Sequence, residues 1–169
     1  MEYPKYLLPD FLKGICSAKD YCSWLDSKAI THIHRDRKRG NKIATTSSYK
    51  QAIHKAVLEI GGKDAYTGKK LRWDLLHKYE NTESKRGKRE YKKLFRDLPT
   101  VDHVDEGLGE PNIKICAWYV NDAKHDLTFN EFLTLCEDVL RYNRKGFKIS
   151  NGRQRMPNTH KNVEQVYPY

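Results

Sequence analysis

Apolar residues recur at helical spacing in several stretches of this chain. In the first stretch, an N-cap at Ser17 and an acidic Asp20 three residues later mark a helix start. The apolar side of this helix consists of Tyr21, Trp24, Leu25, Ala29, Ile30 and Ile33. Gly40 and Asn41 are typical helix terminators, so the pattern predicts a long helix that ends near Arg39.

Two further helices follow from the same periodicity. One starts at Ser47 or Ser48 and ends before the glycine pair at 61–62. Its apolar positions are Ala52, Ile53, Ala56, Val57 and Ile60. The last begins at Thr128, which can form a capping box with Glu131. Its apolar stripe, which we expect to be core, consists of Phe129, Phe132, Leu133, Cys136, Val139 and Leu140.

Between these helices the pattern indicates short strands. Residues 65–73 predict a strand, a glycine-containing turn and a second strand. Residues 100–104 have the β-branched character of a strand, 105–110 form a loop with two glycines, and 112–118 predict the returning strand. Asn121 can cap the helix that comes next.

The combined pattern favours an α+β fold, in which a short antiparallel hairpin plus a helix is embedded in a mainly helical domain. The polar segment 81–93 predicts an exposed flexible loop. We expect an N-terminal basic helical region at 1–62, a hairpin-and-helix core with its following helix at 63–145, and an irregular C-terminal tail at 146–169.

Composition narrows the class of protein. The 169 residues, 38% of them hydrophobic, suffice for one buried core with appendages. The net charge of +10 favours a polyanionic partner, with nucleic acid as the first candidate. There is no apolar run of roughly 18 residues and no secretory signal at the start, so we expect a cytoplasmic protein without a membrane partner. The four cysteines form no C-x-x-C pair, which argues against a structural zinc and against a disulfide framework.

The positive charge is clustered in two places. The end of the first helix carries Arg35, Arg37, Lys38 and Arg39. Cations stabilise a helix C-terminus, but this cluster exceeds what capping needs, and we favour contact with phosphate. The second cluster, in the 81–93 loop, comprises Lys85, Arg86, Lys88 and Arg89. A mobile basic loop can follow a phosphate backbone.

The segment 100–125 contains the candidate chemistry. Asp102 and His103 end the first strand of the hairpin, Asn112 begins the second, and Asn121 and His125 are four residues apart on the predicted helix. A carboxylate, an imidazole and carboxamides at these intervals can form one compact site for a metal ion and for proton transfer. Adjacent strand residues point to opposite faces, so Asp102 and His103 can share a site only near a strand end or bend.

These residue types suit the hydrolysis of a phosphodiester. An imidazole with an ordinary pKa of about 6.5 is a suitable general base near neutral pH, and His103 is the candidate. Mg²⁺ prefers oxygen ligands and takes few protein groups, which Asp102 and Asn121 can supply.

This order of residues on a strand-loop-strand-helix pattern resembles the HNH, or ββα-metal (His-Me finger), nuclease family. The resemblance covers roughly residues 64–140. It implies that His103 and Asn112 are catalytic, and that Asn112 orients the loop so that a backbone carbonyl fixes the tautomer of His103. It further implies that Asp102, Asn121 and His125 hold one Mg²⁺ or Mn²⁺ ion. The expected products carry a 5′-phosphate and a 3′-hydroxyl.

The chain departs from the family pattern in one respect. Many members carry two C-x-x-C pairs that bind a structural zinc, whereas Tyr66-Thr67-Gly68 stands where the first pair would fall and Cys116 is alone. We therefore expect no structural zinc, and packed aromatics instead: Tyr66, Trp73 and Trp118.

Each residue also has a structural explanation. Asn112 can be a turn residue, Asn121 an N-cap, His125 a solvent-facing residue, and Lys124 either a phosphate contact or a solvated lysine. Their joint order favours a divalent-metal-dependent endonuclease acting on double-stranded DNA. The alternatives are a non-catalytic nucleic-acid-binding protein and an RNA-directed nuclease or metal-binding component of a defence system. Cleavage of both strands would need two nicks or two subunits, which makes a homodimer possible.

Overall fold

The computed structural model describes residues 5–105 and 107–144. The fold is α+β and mainly helical, as the sequence predicted, with a small antiparallel sheet. The described helices are α1 (Ala18–Lys38), α2 (Thr46–Ile60), α3 (Asn81–Leu94), α4 (Trp118–Lys124) and α5 (Phe129–Asn143). The two strands are β1 (Pro99–His103) and β2 (Ile113–Ala117), and short 3₁₀ turns lie at Asp10–Leu12 and Trp73–Leu75.

The chain divides into two units, Met1–Leu133 and Thr134–Tyr169. The hydrophobic core of the first unit combines buried residues of α1 and α2 with Val101 of β1, Ile115 of β2 and Val120 of α4. The regions before and after residue 62 therefore share this core. The predicted tail at 146–169 lies outside the described residues.

The first two helices confirm the apolar periodicity. The hydroxyl of Ser17 accepts a hydrogen bond from the backbone N–H of Asp20 at 3.0 Å, which makes Ser17 the N-cap of α1 as predicted. Of the predicted apolar side of α1, Ile30 is the exception, since it is 47% exposed. Helix α2 begins slightly earlier than predicted because Thr45 and Ser48 form a capping box.

The hairpin also has the predicted form. β1 pairs antiparallel with β2, in a register that places Asp102 opposite Lys114 and His103 opposite Ile113. α4 follows β2 without a loop and packs against both strands. Strand β1 therefore ends at His103. Asp102 and His103 thus lie at a strand end, which is one of the positions where adjacent strand residues can share a site.

The predicted strands at 65–73 are wrong. Their place is taken by an isolated bridge between Lys63 and Lys70 and by a turn that the buried Asp64 side chain organises. Its Oδ1 accepts hydrogen bonds from the backbone N–H groups of Tyr66 at 2.8 Å and Thr67 at 2.6 Å. A carboxylate that binds nearby backbone groups competes with strand pairing.

The predicted flexible loop at 81–93 is also wrong, because the segment forms α3, with an interruption at Lys88. Aromatic packing anchors this helix: the rings of Tyr91 and Phe95 lie 5.0 Å apart, and both contact Tyr79. The hydroxyl of Tyr79 donates to Ser84 at 2.6 Å. The prediction considered polar composition and overlooked this aromatic cluster at the helix ends.

Helix α5 has the predicted capping box between Thr128 and Glu131. Its apolar stripe is not core, because none of its described side chains is buried, and Leu133, Val139 and Leu140 are each about half exposed. Periodicity shows that a helix is amphipathic, but it does not show that another element covers the apolar side.

Among the described residues, no helix has the length and apolar character needed to cross a membrane.

Candidate functional site

A polar cleft of about 690 Å³ lies where the ends of α1, β1 and α4 meet. We call it the His103 cleft. The sequence-predicted residues that line it are Arg35, Arg39, Asp102, His103, Asn121, Lys124 and His125. The structure thus brings together two cations of the α1 cluster and most of the candidate chemical groups.

The imidazole of His103 is held by a carboxylate that the sequence analysis did not single out. Asp36 is fully buried on α1, and its Oδ2 lies 2.7 Å from Nε2 of His103. The hydroxyl of Tyr49 donates to the same carboxylate oxygen. Gly107, at φ +72°, passes so close that a Cβ there would lie 2.9 Å from Asp36 Oδ2. The loop after β1 therefore needs glycine at this position.

The proton on His103 follows from its partners. Nη2 of Arg35 contacts Nδ1 of His103, and a guanidinium has only donors, so Nδ1 must accept. Nε2 then carries the hydrogen and donates to Asp36. Burial lowers the pKa of His103, as does the charge of Arg35, while Asp36 acts in the opposite direction. The imidazole is therefore neutral, with its lone pair on the nitrogen that faces Arg35.

Asp102 has a different environment from its neighbour. Its carboxylate is buried, with Oδ2 accepting a hydrogen bond from the Tyr66 hydroxyl at 2.5 Å and lying 3.3 Å from Nζ of Lys124. Lys124 is only 4% exposed, so the alternative of a solvated lysine is wrong. Asp102 and His103 have separate partners, yet both line the same cleft.

Of the remaining motif residues, Asn121 and His125 line the cleft and Asn112 does not. Asn121 is inside α4 rather than at its N-cap, which is Ala117. His125 follows the last residue of α4, with its side chain 79% exposed, so it does not continue the helical side of Asn121. The helix starts earlier than predicted because it follows β2 directly.

Asn112 is exposed, and its backbone carbonyl accepts a hydrogen bond from Val104 at 3.0 Å. Its predicted contribution was to orient a backbone carbonyl onto His103. Among the described residues, the hydrogen-bonding partners of the imidazole are instead the side chains of Asp36, Tyr49 and Arg35. A catalytic role for Asn112 stays a prediction.

The basic residues predicted to bind nucleic acid fall in two locations. Arg35 and Arg39 line the His103 cleft, and Arg37 and Lys38 are exposed beside them on α1. Lys85, Lys88 and Arg89 lie on α3 and line a second groove. Arg86 is exposed and forms an ion pair with Glu83 at 3.3 Å.

Two residues that sequence reasoning missed organise the cleft. The buried side chain of Asn41, interpreted as a helix terminator, donates to the backbone carbonyls of Gly107 at 2.6 Å and Gly109 at 2.8 Å. Asp36 was hidden in the basic run that ends α1. The signal for Asp36 was its spacing: it follows the apolar Ala29 and Ile33 at helical intervals, on the side that faces the core.

His32 is a buried base whose ring centroid lies 4.8 Å from that of His103. Its burial predicts that the folded state loses stability in acid. Burial lowers the pKa of His32 to about 3 from 6.5, and the positive charge of Arg35 acts in the same direction. In the unfolded chain His32 is protonated as pH falls below 6.5, whereas in the folded chain it stays neutral until the pH is near 3. The stability that is present above pH 6.5 is therefore lost progressively as pH falls towards 3.

We expect His32→Gln to reduce this loss. Between about pH 7 and about pH 5, the unfolding free energy of the variant should fall by about 2 kcal/mol less than that of the wild type. Urea unfolding at the two pH values measures it, with the exposed His34→Gln on the same helix as the matched control. Equal losses in the wild type and His32→Gln would refute the assignment.

Within residues 5–105 and 107–144, no group of three or more His, Cys, Asp or Glu side chains is placed to hold a metal ion. The set predicted from the resemblance has two such residues, Asp102 and His125, and the amide of Asn121. No family model, no curated protein and no solved structure matches this chain.

Proposed function

We propose that this chain is a divalent-metal-dependent endonuclease that hydrolyses phosphodiester bonds of DNA, with a core of the HNH type formed by β1, β2 and α4. One observation carries the proposal: the neutral imidazole of His103, held by the buried carboxylate of Asp36, lines a cleft that also contains Asp102 and the cations of α1. An imidazole oriented by a carboxylate is a general-base arrangement.

In this proposal Nδ1 of His103 accepts the proton of the attacking water. Arg35 covers Nδ1 in the free protein, but its side chain is 44% exposed and can turn towards an entering phosphate. A guanidinium forms strong paired hydrogen bonds with phosphate oxygens. Substrate binding would then free Nδ1 of His103, and the same movement would bring the positive charge of Arg35 next to the phosphate.

Asp36 keeps the imidazole in the reactive tautomer. While Nε2–H donates to Asp36, the lone pair must be on Nδ1, and the imidazolium formed by proton transfer is stabilised by the same carboxylate. The water oxygen forms a bond to phosphorus as the bond to the 3′-oxygen breaks, and the released 3′-oxyanion takes a proton from solvent. The products carry a 5′-phosphate and a 3′-hydroxyl.

Two cleft residues are of the ligand type that Mg²⁺ takes. Mg²⁺ takes one or two carboxylates and keeps several waters, Asp102 and Asn121 offer oxygen atoms, and His125 lines the same cleft. When bound there, the ion would neutralise charge on the scissile phosphate and the leaving oxygen. Lys124 supplies further positive charge beside the same carboxylate.

A second candidate is a nucleic-acid-binding protein without catalysis. This candidate is favoured because the Asp102 carboxylate and the His103 imidazole already have cationic partners. Lys124 lies 3.3 Å from Asp102, and Arg35 contacts His103. A protein that binds only the backbone needs these cations and has no use for a free base.

Metal dependence separates the candidates. We expect the purified protein to cleave a labelled DNA duplex in Mg²⁺ or Mn²⁺ and to stop when EDTA is added, because the phosphate charge is then no longer neutralised. Binding without cleavage in either metal would favour the second candidate. Cleavage that continues in EDTA would show that the cations of the chain replace the metal.

A further inference from the structure

A second groove, of about 780 Å³, lies between α3 and the start of α4, and we call it the α3 groove. Its cations are Lys85, Lys88, Arg89, Lys92, Lys93 and Arg96, and the aromatic side chains Trp118 and Tyr119 line it as well. We propose that the α3 groove binds unpaired nucleotides next to the bond cleaved in the His103 cleft. This inference rests on the proposed function.

The charge of the groove favours a polyanion. Lys85, Lys88, Arg89 and Lys92 make no ion pair with a described residue, although all four line the same groove. Like charges that lie close together repel each other. A phosphate backbone would neutralise them, and each neutralised phosphate releases counterions.

The aromatic side chains favour bases that are not already stacked in a duplex. Tyr119 is half-buried against the core, and the guanidinium of Arg96 lies 4.2 Å from its ring centroid. Trp118 is fixed edge-on against Tyr79, with ring centroids 5.1 Å apart. Anchored rings and a guanidinium plane are surfaces on which single-stranded bases stack. The paired bases of a duplex are already stacked on one another.

The two grooves share a lining residue, because Asp122 on α4 lines both the α3 groove and the His103 cleft. In this inference a strand lying in the α3 groove continues past α4 to Asp102 and His103. This continuity predicts a substrate with a single-stranded extension or an opened segment beside the scissile bond.

Binding in EDTA tests the inference separately from cleavage. We expect the full chain to bind a single-stranded oligonucleotide, or a duplex with a single-stranded tail, more tightly than the blunt duplex, as measured by fluorescence anisotropy over a salt series. Lys88→Gln with Lys92→Gln should reduce the salt slope by about 1.4, which corresponds to about 0.7 for each lost single-strand phosphate. The matched control is Lys13→Gln with Lys55→Gln, two exposed lysines outside both grooves.

Stacking has its own signal. We expect 2-aminopurine in the oligonucleotide to be quenched by the wild type and by Tyr119→Phe but not by Tyr119→Leu, whose affinity should fall about 5- to 100-fold. The inference would be overturned if the chain bound blunt duplex, or polyglutamate, as tightly as the single-stranded oligonucleotide. It would also be overturned if the double variant at Lys88 and Lys92 had the same salt slope as its control. Normal binding in EDTA with no cleavage in metal would instead refute the proposed function and leave this site standing.

Discussion

Replacing His103 by alanine is expected to lower the rate of DNA cleavage by about 10²–10⁴-fold, which is the usual contribution of a general base. The physical reason is that Nδ1 of His103 is the basic atom that the described contacts orient within the cleft. Single-turnover cleavage of a labelled duplex measures the rate, and anisotropy in EDTA measures affinity. Affinity should change little, because the cations of the cleft remain.

This experiment needs a folding check and a control variant. The variant leaves the buried Asp36 without one partner, so circular dichroism must show that it is still folded. The exposed His34→Ala on the same helix is the matched control and should cleave at the wild-type rate. A folded His103→Ala protein that cleaves as fast as this control would exclude His103 as the base.

Asp36→Asn is expected to lower the cleavage rate by a comparable factor, again about 10²–10⁴-fold, with almost no change in shape. An amide can turn its NH₂ group towards Nε2 of His103, and Nε2 must then accept. The hydrogen moves to Nδ1, which is the atom that has to take the proton from water. The loss should appear in the chemical step and leave the affinity for DNA almost unchanged.

The matched control for this substitution is Asp26→Asn on the same helix, where the carboxylate is half-exposed and forms an ion pair with Lys50. ¹⁵N spectra of the histidine rings add a readout that a structural role alone would not move, since they report which nitrogen of His103 is protonated. A wild-type rate in Asp36→Asn would remove the carboxylate from the mechanism.

Local patterns predicted the elements whose stability depends on local spacing. The apolar side of α1 follows from a period of 3.6 residues, and the cap at Ser17 from the acidic residue three positions later. The strands β1 and β2 lie within one residue of the predicted ranges 100–104 and 112–118. The stripe of α5 followed the same rule, but what covers a helix depends on distant residues. Its exposure was therefore outside the reach of periodicity.

The candidate site was predictable only in part. Asp102 and His103 stood out because of their chemistry and order, and the structure places both in one cleft. Asp36 did not, because an acidic residue within a run of cations suggests a solvated helix end. Its contact with His103 joins residues 67 positions apart. The Tyr49 hydroxyl that supports it also comes from another helix.

The most direct test of the central claim follows the oxygen of the attacking water. Cleavage of a DNA duplex by the wild-type protein in Mg²⁺ and ¹⁸O-labelled water, followed by mass spectrometry of the fragments, shows where that oxygen goes. The account predicts fragments whose 5′-phosphate contains one ¹⁸O atom, and a far lower yield of such fragments from His103→Ala in the same time. Intact DNA, fragments that end in a 3′-phosphate, or labelled fragments from the variant in equal yield would contradict it.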